Sequence, residues 1–158
     1  LRRGMRGTQS LPVALAELLA EAVDGSSKLS PVPTLAVSSE ATVQASRDRL
    51  LTVFGHLIQN AQEATDNDGT VTVELDRDSQ YARVNVSDSG TGMEQAFVQN
   101  RLFKPFDSTK GLTGMGIGAF ESREFIRSLG GDITVTSSPG EGSQFHVTIP
   151  LATGESEQ

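Results

Sequence analysis

Three short stretches hold the residues best able to do chemistry. In one helical pattern His56, Asn60, Glu63 and Asn67 recur at i, i+4, i+7 and i+11, which places them on one stripe opposite the apolar positions. A solvated amphipathic helix shows the same polar face. Asn60, however, stands between Ile58 and Ala61, where a neutral carboxamide offers one oxygen to a hard cation; Mg²⁺ takes one or two protein oxygens and fills its shell with phosphate and water. Asp88-Ser-Gly90-Thr-Gly92 ends an alternating run. Asp and Gly supply ordinary turn chemistry there. A carboxylate so held can also accept a hydrogen bond from an exocyclic amine such as that of adenine, with glycines letting the backbone approach a flat ring. Gly114-Met115-Gly116-Ile117-Gly118 opens a further helix, whose unpaired N–H groups suit a phosphate.

The elements that must position these residues follow from periodicity. Leu11, Leu15, Leu18, Leu19, Ala22 and Val23 predict a helix over about 11–24, and Leu50, Leu51, Phe54, Leu57, Ile58, Ala61 and Ala64 predict another from Arg47 to about Asp66. Short strands are expected at Pro33–Val37 and Ala41–Ala45. Val71, Val73 and Leu75, then Ala82, Val84 and Val86, alternate with polar residues across a turn and predict a hairpin running straight into Asp88. A third helix is expected from about Ala119 to Leu129, followed by strands at Asp132–Thr136 and Ser143–Ile149. Helices and strands do not alternate as βαβ units. The expected fold is therefore α+β: a two-layer sandwich, with a mixed, mostly antiparallel sheet covered by about three helices. Gly114 to Ala119 matches a dinucleotide fingerprint, but a polar loop precedes the glycines where a strand is required, so a doubly wound fold is rejected.

Composition narrows the function classes. The 158 residues fit one domain able to bury a core without staples, and the absence of Cys removes disulfides, zinc–thiolate sites and thiol nucleophiles. The formal net charge of −7 disfavours nucleic acid and anionic lipid as partners. Arg2, Arg3 and Arg6 crowd the first six positions, so the remainder is more acidic still. No apolar run is long enough to span a bilayer, and the sequence reads as a soluble, cytoplasmic fragment without direct membrane contact. Residues 1–10 are expected to end an upstream segment, 11–151 to form the domain and 152–158 to be a disordered tail.

Taken in order, the motifs resemble the Bergerat ATP-binding fold shared by histidine kinases, gyrase B, Hsp90 and MutL. The N box is His56-Leu-Ile-Gln-Asn60-Ala-Gln-Glu-Ala64, the G1 box Asp88-Ser-Gly-Thr-Gly-Met93, the F box Leu102-Phe-Lys-Pro-Phe106 and the G2 box Gly114-Met-Gly-Ile-Gly118. The closing Gly130-Gly-Asp-Ile and Ser138-Pro-Gly-Glu-Gly-Ser-Gln-Phe resemble the end of a sensor histidine kinase, and the wording of the N and G2 boxes is similar to the sensor kinases linked to PEP-CTERM and exosortase systems.

The resemblance implies ATP and Mg²⁺ as ligands. Asn60 would ligate the metal, Asp88 read the adenine amine, Gly90, Gly92 and Met93 shape its pocket, and Lys110 supply a mobile cation. Gly114, Gly116 and Gly118 would donate from their backbone, with Met115, Ile117, Phe103, Phe106 and Thr109 completing the nucleotide-binding set. Residues 94–113 become an ATP lid anchored by Phe103 and Phe106. His56 departs from the family, which has Asn there in many histidine kinases and a water-activating Glu in the hydrolysing branch. A missing Glu favours a phosphoryl donor over a hydrolase, with a neutral imidazole as the alternative base or ligand.

The chain's only histidines, His56 and His146, both lie outside any acceptor motif. The implied partners are accordingly upstream dimerisation helices carrying a phosphoacceptor His, a second copy of the full-length protein, and a response regulator. An ATPase clamp and an anti-sigma-type serine kinase are the alternatives within the same fold.

Overall fold

The computed structural model describes residues 9–100, 102–103 and 115–152. Five strands form one sheet: β2 (Thr34–Val37), β4 (Val71–Arg77), β5 (Tyr81–Asp88), β6 (Asp132–Ser138) and β7 (Gly142–Pro150), in the order β2-β4-β5-β7-β6. Among the described residues only β2 and β4 run parallel; every other pairing is antiparallel, the mixed, mostly antiparallel sheet expected. A separate ribbon pairs β1 (Ser10–Ala14) with β3 (Thr42–Ser46).

Helices α1 (Leu15–Gly25), α2 (Arg47–Glu63) and α4 (Met115–Ser128) form the covering layer, and among the described residues a short α3 (Gln95–Asn100) is present beside these three expected helices. Alternation explains the layering. Val73, Leu75, Val84, Val86, Phe145 and Val147 point inward and are fully or almost fully buried in one core cluster with Leu50, Phe54, Leu57 and Ile58 of α2. Each such side chain contributes roughly 1.5–3 kcal/mol by leaving water. Ser46 caps α2, its hydroxyl accepting from the Arg49 N–H at 3.4 Å.

Four expectations need correction. The first helix starts at Leu15, not Leu11, because residues 10–14 pair with β3; Pro12 biases Leu11 toward extended backbone, and Leu11 is left 47% exposed. Helix α2 stops at Glu63, so Asn67 lies beyond it in a turn. Helix α4 starts at Met115, which puts Gly116 and Gly118 inside its first turn rather than ahead of it. The stretch expected to be a polar lid contains α3, after which the Leu102 N–H donates to Phe97 O at 2.9 Å and Leu102 is fully buried. Among the described residues no helix is long and apolar enough to cross a membrane.

Candidate functional site

Asp88 ends β5 where the hairpin leaves the sheet, and it is only 8% exposed. Its Oδ1 accepts the Gly90 N–H at 2.8 Å, and the Ser143 backbone and Thr65 side chain also hydrogen-bond to the carboxyl. Thr65 Oγ1 lies 2.7 Å from Ala61 O as well, and its single proton serves one of these two acceptors at a time. Burial pushes the carboxyl above its ordinary range, and the three hydrogen bonds only partly oppose that. The result is a buried acid at a strand end with capacity to accept one further donor.

The following loop is fastened on both sides. Thr91 N–H donates to Ala64 O at 3.1 Å, and Met93 N–H to Ser137 Oγ at 2.8 Å. A Cβ on Gly90 would stand 2.1 Å from Ala64 O, and one on Gly92, whose φ is +73°, 1.9 Å from Ser138 O. The sequence predicts these glycines to give a flat ring close access. Their side-chain space is instead filled by the chain's own carbonyls at the ends of α2 and β6. Gly142, φ +86°, is held similarly, with its Cβ position 2.0 Å from Asp88 O.

Four residues before that junction, Asn60 is 6% exposed, and its carboxamide has no hydrogen-bond partner among the described residues. The predicted common stripe therefore divides. His56 and Glu63 are exposed while Asn60 is buried, because α2 is flanked by both α1 and α4. An unpaired, nearly buried amide oxygen fits a single protein ligand to Mg²⁺. No cluster of three His, Cys, Asp or Glu among the described residues could hold a metal without further donors.

His56 faces α4: a Cβ on Gly118 would lie 3.5 Å from His56 Nδ1. The N–H groups of the first turn of α4, Met115 to Gly118, have no intrahelical acceptors. Phe103 packs against the same helix further along, with the Arg123 guanidinium carbon 4.4 Å from its ring centroid. The structure thus brings Asn60, His56, Asp88, Gly90, Gly92, Met93 and Gly118 onto connected elements. Phe106, Thr109, Lys110 and Gly114 lie outside the described residues. Thr65, Ser137, Ser143 and Arg123 were not singled out by the sequence. Thr65 directly follows the N box, which is the one signal that could have found it.

Residues 45–153 match the family described as histidine kinase-, DNA gyrase B- and HSP90-like ATPase. The adaptive-response sensory kinase SasA of Parasynechococcus marenigrum is 36% identical over 121 residues, covering 73% of this chain and 31% of that protein. The sensor histidine kinase RcsC of Escherichia coli is 37% identical over 108 residues, covering 65% of this chain and 11% of that one. The chain spans about a third or less of these relatives' length. Full-length ShkA in complex with AMPPNP superposes with a TM-score of 0.79 at 25% identity, over 94% of this chain and 32% of that one. Histidine kinase ThkA in complex with the response regulator TrrA superposes with a TM-score of 0.73 at 25% identity, over 89% of this chain and 41% of that one.

Proposed function

The chain belongs to the histidine kinase-, DNA gyrase B- and HSP90-like ATPase family, and on that premise we propose that it is the catalytic domain of a sensor histidine kinase, binding Mg·ATP and donating the γ-phosphoryl group to a histidine outside this chain. The observation that carries the reading is Asp88, a buried carboxylate whose backbone partners leave it one acceptor position at the mouth of a glycine-fastened loop. That position suits the adenine amine, with Met93 beside the ring and Gly90 and Gly92 fixing the pocket wall.

The phosphates would lie between α2 and the first turn of α4, where the N–H groups of Met115, Gly116, Ile117 and Gly118 face them. Asn60 would hold Mg²⁺ through its amide oxygen, and the cation would offset phosphate charge as the phosphoryl group leaves ADP. Phe106, Thr109, Lys110 and Gly114 join this set on the family resemblance, Lys110 as the mobile cation. An imidazole nitrogen of the acceptor attacks the γ-phosphorus in line, the bond to the β-phosphate oxygen breaks, and ADP departs with that electron pair. The chain's contribution is positioning and electrostatics. His56 stands beside Gly118 where a hydrolase would need a carboxylate to activate water, which supports transfer over hydrolysis.

The neighbour solved in complex with the response regulator TrrA supports a response regulator as partner. On the family resemblance we further infer upstream dimerisation helices, residues 1–10 leading from them, and a full-length homodimer in the cytoplasm. The test supplies Mg²⁺ and γ-labelled ATP with and without a dimer of the upstream helices. Acid-labile protein label appearing only with the helices, and little free phosphate, is the expected outcome. Acid-stable label would indicate a serine kinase, and steady phosphate release from the chain alone an ATPase.

A further inference from the structure

Resting on that reading, we propose that Arg123 is a positioning residue that sets the span between the adenine and phosphate ends of the nucleotide site by bracing Phe103 against α4. Beyond α3 the next described residues, Leu102 and Phe103, form a turn. Leu102 closes that turn through its N–H to Phe97 O at 2.9 Å. Phe103 then meets α4 five residues beyond Gly118, with its ring face 4.4 Å from the Arg123 guanidinium carbon.

The environment of Arg123 argues that this contact is its main engagement. Its Nε is buried and has no hydrogen-bond partner. Asp132 Oδ1 lies 3.4 Å away, but that oxygen already takes the Arg127 Nε at 3.0 Å. A cation with its head group so incompletely paired interacts more strongly with an aromatic face than a solvated one would. The adenine wall does not depend on the brace. Asp88, Thr91 and Met93 are tied to Gly90, Ala64 and Ser137 by their own hydrogen bonds. Loss of the brace therefore frees the turn at Phe103 relative to α4 without dismantling the adenine pocket, and a ligand touching both ends loses more than one touching a single end.

The experiment titrates the chain with AMPPNP in Mg²⁺ and with adenosine, and records thermal melting alongside. The Arg123→Gln variant is expected to bind AMPPNP about 2- to 30-fold more weakly, the range for one cation–π contact, while adenosine affinity stays within about 2-fold. Arg123→Lys should recover most of the loss, and Phe103→Leu should reproduce it. The double variant should be no weaker than the weaker single one. Unchanged AMPPNP affinity in Arg123→Gln, or equal loss of both ligands together with a lowered melting point, would overturn the proposal. Failure of the unsubstituted chain to bind either ligand would instead sink the nucleotide-binding reading on which it rests.

Discussion

The Gly90 N–H donates to the Asp88 carboxylate at 2.8 Å across a two-residue turn, so one oxygen of a nearly buried acid is already engaged before any ligand arrives. Asp88→Asn keeps the shape and removes the charge. Nucleotide affinity is expected to fall roughly tenfold or more, since a hydrogen bond to a charged group contributes about 1.5–3 kcal/mol. Stability should move the other way. Burial raises the folded-state pKa above the unfolded value of 3.8, so native Asp88 holds its proton more tightly, and the chain loses stability as pH rises from 3.8 through the raised value. Ligand-free Asp88→Asn should lack that loss. Denaturant melts at pH 4 and pH 7 check it; a parallel pH response in both proteins would contradict the assignment.

Glycines divide sharply by surroundings. Gly90→Ala forces a methyl to 2.1 Å from Ala64 O and should cost about 2–3 kcal/mol, visible as a lower denaturant midpoint. Gly55 lies inside α2 with nothing within 4 Å of its Cβ position, so Gly55→Ala should stabilise by about 0.5–1 kcal/mol. Gly118→Ala has ordinary contact, 3.5 Å to His56 Nδ1, and should fold normally. Similar melting of all three variants would refute this ordering.

Period-two alternation and apolar stripes made the sheet and α2 legible; Asn60 falls on α2 and Asp88 at the end of β5 as expected, whereas Gly116 and Gly118 fall inside α4 and Gly114 lies outside the described residues. Residues 10–14 did not reveal their strand, because Leu11 and Leu15 fit a helical stripe and only pairing with β3 decides between the two. Helix α3 was hidden by its length, six residues being too few to display a helical period. The burial of Asn60 was not visible either: spacing assigns a face to a helix, but flanking by α1 and α4 decides how much of that face reaches water. Thr65 and Ser143 reach the Asp88 carboxyl, and Ser137 the Met93 N–H, only once the strands are assembled, and Arg123 is one of several helix arginines until Phe103 is set over it.

Asp78 closes the β4–β5 turn, accepting the N–H groups of Gln80 and Tyr81 at 2.7 Å each and pairing with Arg83. The two backbone donors, aided by Arg83, lower its pKa from 3.8 to about 2. The sign is opposite to that of Asp88. This stabilisation is present above 3.8 and is lost as pH falls toward 2. Asp78→Asn should lower stability at neutral pH and remove part of the acid sensitivity below 3.8. Equal acid unfolding curves for the two proteins would show that the turn does not depend on the charge.

Asn60 offers the clearest separation of stability from function. Its carboxamide has no hydrogen-bond partner among the described residues, so no intramolecular bond is lost when it is removed. Asn60→Ala breaks no hydrogen bond within the described residues, and its melting point should change little. If the amide oxygen is the single protein ligand to Mg²⁺, affinity for AMPPNP measured with Mg²⁺ should fall roughly tenfold or more, while affinity measured in a chelator should match the unsubstituted chain. Isothermal titration under both conditions makes the comparison. A variant whose affinity responds to Mg²⁺ as strongly as the parent would show that the metal is held elsewhere, and a variant that loses binding equally with and without Mg²⁺ would make Asn60 a wall of the pocket rather than a ligand.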